Sequence, residues 1–70
     1  MNSEDVRVLL RAKPFVPFTL HLPADRTVRI DDPRFTLLSR DGRDLLVNPE
    51  GDIIERIDLN LVTHLEKEAA

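Results

Sequence analysis

From residue 18 onwards, turn-forming residues divide the chain into short apolar segments. These turn signals are Pro-Ala-Asp-Arg at 23–26, Asp-Pro at 32–33, Asp-Gly at 41–42, Asn-Pro at 48–49 and Glu-Gly-Asp at 50–52. Turns that recur at intervals of roughly 8–12 residues are typical of small antiparallel barrels and sandwiches. The segmentation therefore predicts a mainly β fold.

Within the segments, apolar and polar residues alternate. Phe18, Leu20 and Leu22 share one face of the first predicted strand, and Thr19 and His21 share the other. The same pattern predicts further strands at 27–31, 35–39, 45–47, 53–57 and 61–65, with a tight turn at 58–60 and a frayed end from residue 66. A bend at 32–33 inside one long second strand reduces the number of strands to five.

The residues before the strands predict one helix, over about residues 3–12. Asn2 or Ser3 is placed to cap it, and Pro14 ends it because the residue before a proline is displaced from helical geometry. Prolines at 14 and 17 then favour an extended segment that places Phe15 and Phe18 on one side. The expected architecture is a helix followed by a strongly bent five-stranded antiparallel sheet.

Length and charge limit the classes of function. With 70 residues the chain supports one hydrophobic core, so we expect a single domain over residues 1–70. A formal net charge of -3 has the wrong sign for a protein held to nucleic acid by its overall charge. A core this small, with no disulfide to reinforce it, favours a homo-oligomer.

The absence of cysteine excludes disulfides, thiolate metal sites and a cysteine nucleophile, and it suits a reducing compartment. No apolar run approaches the roughly 18 residues of a membrane span, and the first residues lack the layout of a signal peptide. We therefore expect a cytoplasmic protein that makes no contact with a membrane.

Two strings resemble the motifs of Sm-like proteins. Residues 18–30 combine an apolar-x-Leu-x-Leu strand, a turn and Arg-x-Val-Arg, and residues 57–65, Ile-Asp-Leu-Asn-Leu-Val-Thr-His-Leu, have the length and apolar spacing of the second Sm motif. The resemblance implies a five-stranded Sm-like or SH3-like barrel with the helix covering one end. It also implies a ring of subunits that binds single-stranded RNA. The Pro-Phe-x-Pro-Phe opening and the Ile-Asp-x-x-x-Val-Thr closing are similar to those of a group of short bacterial proteins, a likeness that implies no activity.

The Sm resemblance weakens at the residues that hold RNA. Sm-like proteins use an Arg-Gly pair and a loop Asn there, whereas this chain has Asp58 and Leu59 in place of the pair and Asp44 at the loop position. An acidic side chain repels phosphate instead of pairing with it. RNA contact would then depend on the remaining candidates, which are Arg40, Arg43 and Asn60.

The sequence lacks the residue patterns that metal binding and catalysis require. His21 and His64 lie on strands that are neighbours in an Sm-type barrel, so their rings are expected to approach, but two imidazoles do not complete a zinc site. No nucleophile elbow or phosphate-binding glycine loop accompanies Ser39 or the threonines. Acids at 25, 31 and 32 fit turn chemistry better than catalysis. We expect no metal, no cofactor and no catalytic residue, and hence no enzyme.

The remaining hypotheses concern association. Phe15 and Phe18 either pack the helix onto the barrel or form a docking surface, while Leu59 and Leu61 are the stronger interface candidates because residue 59 falls in a predicted exposed turn. Arginines at 26, 29, 34, 40, 43 and 56 each have an acid nearby, which favours a solvated face of mixed charge pairs. The leading hypothesis is a non-enzymatic interaction module that self-associates through exposed strand edges. The alternative is an Sm-like ring that binds single-stranded RNA.

Overall fold

The computed structural model describes residues 2–48 and 54–68, in which one helix precedes six short strands. The helix α1 spans Ser3–Arg11, and the strands are β1 (Phe18–His21), β2 (Thr27–Ile30), β3 (Thr36–Leu38), β4 (Asp44–Val47), β5 (Glu55–Asp58) and β6 (His64–Lys67). Single turns of 3-10 helix at Pro33–Phe35 and Leu59–Leu61 separate β2 from β3 and β5 from β6. The predicted turn at 50–52 and the first residue of the strand predicted at 53–57 lie outside the described residues.

The helix prediction is confirmed. Asn2 is its N-cap, since the side-chain Oδ1 of Asn2 accepts the backbone N–H of Glu4 at 2.9 Å. The N–H of Ala12 still reaches the carbonyl of Leu9, and the chain then leaves helical geometry two residues before Pro14. The helix buries Val6 in the core and leaves much of its surface to solvent.

The strands form two antiparallel sheets. In the first, β1 lies between β2 and β6, and in the second, β4 lies between β3 and β5. The prediction of a mainly β fold after one helix is therefore confirmed. The strands of the described residues are arranged as two three-stranded sheets, and they do not close a barrel.

The break between the sheets has a local cause. Asp32 accepts the backbone N–H of Arg34 at 2.9 Å, and Pro33 offers no N–H to a ladder. Together they tighten the chain into the 3-10 turn where the sequence predicted either a bend or an interruption. The carboxylate of Asp32 thus performs the turn chemistry expected of it.

The last strand begins later than predicted and includes residues that were expected to fray. Asp58 accepts the N–H of Asn60 at 2.9 Å and caps a 3-10 turn, so β6 starts at His64 instead of Leu61. Beyond its end, the N–H of Glu68 donates to the carbonyl of Pro17 at 3.0 Å. Pairing with β1 therefore keeps Glu66 and Lys67 in the sheet.

The core joins both sheets and the helix. Phe18, Leu20 and Leu22 are buried, which confirms the face assigned to them from the alternation. Among the described residues, the buried side chains are Val6, Phe18, Leu20, Leu22, Ile30, Leu45, Ile57, Leu59 and Val62. Each of the two sheets contributes side chains to it, so the sheets share one core.

Candidate interaction surfaces

Four strands have a neighbour on one side only. Within residues 2–48 and 54–68, β2 and β6 flank β1, β3 and β5 flank β4, and no further strand pairs with these four. A strand at a sheet edge presents unpaired backbone N–H and C=O groups that another chain can complete. The fold thus offers several edges for association.

The hydrogen-bond alternation identifies the outward backbone groups of β6 and β5. The backbone N–H of Glu68 donates to the carbonyl of Pro17, so the register directs the backbone groups of Leu65 and Lys67 in β6 away from β1. In the same way, the N–H of Leu59 donates to the carbonyl of Arg43, so the backbone groups of Arg56 in β5 face away from β4. Both edges lie next to large exposed apolar side chains, Ile54 before β5 and Leu61 before β6.

The four predicted interface residues have different environments. Leu61 is 52% exposed, whereas Leu59 is 1% exposed, so the expectation that residue 59 lies in an exposed turn is wrong. Turn composition indicates that the chain reverses, but it does not fix which side chain points inward. Phe18 is buried, and the ring of the half-buried Phe15 packs on it with centroids 6.1 Å apart. These two aromatic rings contribute to the interior, which is the packing interpretation given above.

A groove runs between α1 and β3. Its volume is about 650 Å³, and its lining consists of Arg7, Leu10, Arg11, Leu37, Leu38, Ser39 and Arg40. Leucine side chains supply the apolar part and three guanidinium groups supply the charge. No acidic side chain is among these seven residues. The sequence did not predict this groove, because its two walls are distant in sequence.

Most of the arginines are neutralised. Of the eight arginines in the chain, five form ion pairs within the described residues: Arg7–Glu4, Arg26–Glu55, Arg29–Glu68, Arg34–Asp32 and Arg56–Asp44. Arg11, Arg40 and Arg43 have no ion-pair partner among the described residues. Two of these three line the groove. The predicted mixed charge pairs are therefore present at arginines 26, 29, 34 and 56, and they are absent among the described residues at arginines 40 and 43.

Two of these ion pairs also lower the pKa of their carboxylate partner. The guanidinium of Arg34 lies 2.7 Å from Asp32 and holds the pKa of that carboxyl below its usual value, mainly through their side-chain hydrogen bonds. Arg29 acts in the same way on the pKa of Glu68, at 2.7 Å. The second pair links β2 to the end of β6 across β1.

The loop between β3 and β4 holds the remaining RNA candidates. The carbonyl of Arg43 accepts the N–H of Leu59 at 2.8 Å, which brings Arg43 beside the turn that contains Asn60. Arg40 instead lines the groove beside α1. Asp44 lies directly opposite Asp58 in the β4–β5 register, so two acids stand close to the Arg43–Asn60 side of the loop.

Side chains within this loop fix its shape. The hydroxyl of Ser39 donates to Asp41 at 2.7 Å and accepts the N–H of Asp44 at 3.0 Å, while the N–H of Arg43 also donates to Asp41. These donors lower the pKa of Asp41, with the Ser39 hydrogen bond as the largest cause. The Ser39 hydroxyl is thus engaged within the loop both as a donor and as an acceptor.

The two histidines come together as predicted. Their rings stack with centroids 4.0 Å apart, and Nε2 of His21 lies 3.2 Å from Oε1 of Glu66. In the part of the chain that the structure covers, no group of three or more His, Cys, Asp or Glu side chains is placed to hold a metal ion.

Comparison with known proteins gives no match to a family model, to a curated protein or to a solved structure. Among the described residues, no helix combines the length and the apolar character needed to cross a membrane.

Proposed function

We propose that this protein is a non-enzymatic interaction module that self-associates through the edges of β5 and β6. The observation that supports it is that, among the described strands, β5 and β6 each have one strand neighbour and a row of outward backbone groups. Pairing these groups with a second copy supplies hydrogen bonds that no other strand of the described residues supplies.

The proposed contact joins unlike surfaces. The edge of β5 in one copy meets the edge of β6 in the next, so the contact is heterologous and closes into a ring when the rotation between copies permits. Exposed Ile54 and Leu61 lie beside these edges, and burying them adds apolar contact to a small core.

The proposal includes a finer account of the fold, in which the two sheets are halves of one strongly bent sheet. In β2 the even-numbered residues bond to β1, and in β3 the odd-numbered residues bond to β4. A continuous strand presents alternate residues to its two sides in this way, so β2, the 3-10 turn and β3 act as one bent strand. The strand order then runs β5, β4, β3 with β2, β1, β6, which agrees with the five-stranded Sm-like or SH3-like arrangement.

Light scattering on a sizing column tests the association from low to high micromolar concentration. The wild-type chain is expected to elute as an oligomer. Leu61→Lys places a charge beside the edge, and Lys67→Pro removes an outward N–H without removing a bond to β1, so both variants are expected to shift the chain toward the monomer.

Val8→Lys is the matched control, because Val8 is also an exposed apolar residue but lies on α1, away from the strand edges. It is expected to leave the mass unchanged. A wild-type monomer at high micromolar concentration contradicts the proposal, and so does an oligomer that neither edge variant weakens.

Single-stranded RNA binding is the second candidate, favoured by one observation: Arg40 and Arg43 have no ion-pair partner among the described residues. The nearby acids Asp44 and Asp58 oppose it. Retention of uridine-rich and adenine-rich oligonucleotides at low salt is the test. Binding that weakens with salt and disappears in the Arg40→Ala/Arg43→Ala variant supports RNA as the ligand.

A further inference from the structure

The edge of β3 that faces away from β4 carries unused backbone groups. The backbone N–H of Ser39 donates to the carbonyl of Asp44, and the backbone N–H of Asn48 donates to the carbonyl of Phe35. By the alternation of the ladder, the backbone groups of Leu37 face β4, and those of Thr36 and Leu38 face away from it. The N–H of Thr36 is taken by the carbonyl of Pro33. Among the described residues, the carbonyl of Thr36 and both backbone groups of Leu38 have no strand partner, so another strand can bond to them.

This edge borders the groove beside α1. Leu37, Leu38 and Ser39 line one wall, and Leu10 and Arg11 of the helix contribute to the other. A groove bounded by a helix and an open strand edge suits an extended chain, which can pair with the strand while its side chains contact both walls. Its volume of about 650 Å³ also falls within the range of ligand-binding clefts.

The charge of the groove selects the partner. The chain as a whole is acidic, with a formal net charge of -3, yet the described residues that line this groove include three arginines and no acid. Arg7 is already paired with Glu4 at 3.0 Å, but Arg11 and Arg40 have no ion-pair partner within the described part of the chain. A guanidinium group binds a carboxylate through two parallel hydrogen bonds, so these two side chains are suited to acidic residues.

We propose that the groove between α1 and β3 binds an extended acidic peptide segment of a partner protein, which adds a strand at β3 and places carboxylates on Arg11 and Arg40. This surface is separate from the β5 and β6 edges and adds a second binding activity to the proposed module. The lining favours a peptide over RNA, because leucine side chains occupy the places where base stacking needs aromatic rings.

Fluorescence anisotropy with a labelled peptide, Glu-Val-Glu-Leu-Glu-Val-Glu, tests the proposal on the full chain. The peptide is expected to bind, and Arg11→Gln and Arg40→Gln are each expected to weaken the binding about fivefold. Arg43→Gln is the matched control, because Arg43 lies in the same loop as Arg40, has no ion-pair partner among the described residues and does not line the groove. This variant is expected to leave the peptide affinity unchanged.

Backbone pairing has its own test. The same peptide methylated on alternate backbone nitrogens is expected to bind about tenfold more weakly in one of the two possible methylation registers, because one register removes the donors that face β3. Equal binding in both registers overturns strand addition.

The side chains of Arg11, Arg40 and Arg43 are all exposed, so their substitution is expected to leave the fold intact. Far-UV circular dichroism checks that each variant retains its strands.

Several outcomes overturn the proposal. One is the absence of peptide binding, and another is equal binding of the basic peptide Lys-Val-Lys-Leu-Lys-Val-Lys. Preferential binding of a uridine-rich oligonucleotide that depends on Arg11 and Arg40 assigns the groove to nucleic acid instead. Loss of the oligomer in Arg11→Gln assigns it to a second copy of the chain, whereas an oligomer without peptide binding leaves the self-association proposal standing and removes this one.

Discussion

The imidazole rings of His21 and His64 lie nearly parallel, with centroids 4.0 Å apart and an angle of 11° between their planes. The two residues are direct partners in the β1–β6 register, so the stack joins the strand that follows the helix to the strand that ends the described chain. The hydroxyl of Thr63 lies 3.3 Å from Nδ1 of His64 and donates to the carbonyl of His21 at 3.1 Å. The stack therefore forms part of a small polar cluster on the outer face of the first sheet.

The stack is expected to contribute to stability. Removing either ring in His21→Ala or His64→Ala should lower the free energy of unfolding by about 0.5–1 kcal/mol, since directly opposed ring pairs on a sheet stabilise by that amount. Urea unfolding of both single variants and of the double variant measures the coupling between the rings. Purely additive effects would contradict the prediction.

The loop between β3 and β4 depends on Gly42. Its φ is +75°, and a Cβ at this position would lie 2.6 Å from Oγ and 3.0 Å from Cβ of Ser3. Gly42→Ala is therefore expected to destabilise the protein by about 1–2 kcal/mol, through backbone strain and through the contact with the first turn of α1. Thermal unfolding measures the loss. The same substitution in a Ser3→Ala background should cost less, and an equal cost would show that strain alone acts.

The turn between β1 and β2 holds two non-glycine residues in the left-handed region. Ala24 has φ +62° and Asp25 has φ +59°, and alanine gains nothing there to offset its steric cost. Ala24→Gly is expected to raise the free energy of unfolding by about 0.5 kcal/mol, measured by urea unfolding. Ala12, with φ -62°, is the matched control. Ala12→Gly should give no gain, and a gain at both positions would contradict the explanation.

Local patterns predicted most of the elements, and packing decided the residues where they failed. The alternation of Phe18, Leu20 and Leu22 was sufficient because a strand has two faces and only one meets the core. The same kind of local reasoning failed at Leu59. The turn sequence indicated a reversal of the chain, but the side chain is 1% exposed because the 3-10 turn directs it into the core shared by both sheets.

The groove could not be found from sequence for a similar reason. Every candidate arginine has an acid nearby along the chain, yet Arg29 pairs with Glu68 and Arg26 with Glu55, both from distant segments. Arg34 does pair with the nearby Asp32, but Arg40 and Arg43 have no ion-pair partner among the described residues, although acids lie close to both in the sequence. Distance along the chain therefore does not decide which arginines are paired. Arg11 and Arg40 meet in one groove only because α1 packs beside β3.

The acid dependence of stability is expected to include a contribution from Asp41. Hydrogen bonds from the Ser39 hydroxyl and the Arg43 N–H hold its pKa in the folded chain below the ordinary value of 3.8. A depressed pKa contributes stability above the unfolded-state pKa, and this contribution is lost as pH falls through the folded-state pKa. Asp41→Asn should therefore be less stable than the wild type near neutral pH, with a difference that narrows below about pH 4. Urea unfolding at about pH 7 and about pH 3 measures the narrowing. A difference between Asp41→Asn and wild type that stays constant with pH would show that the Asp41 carboxylate charge contributes nothing to holding the loop.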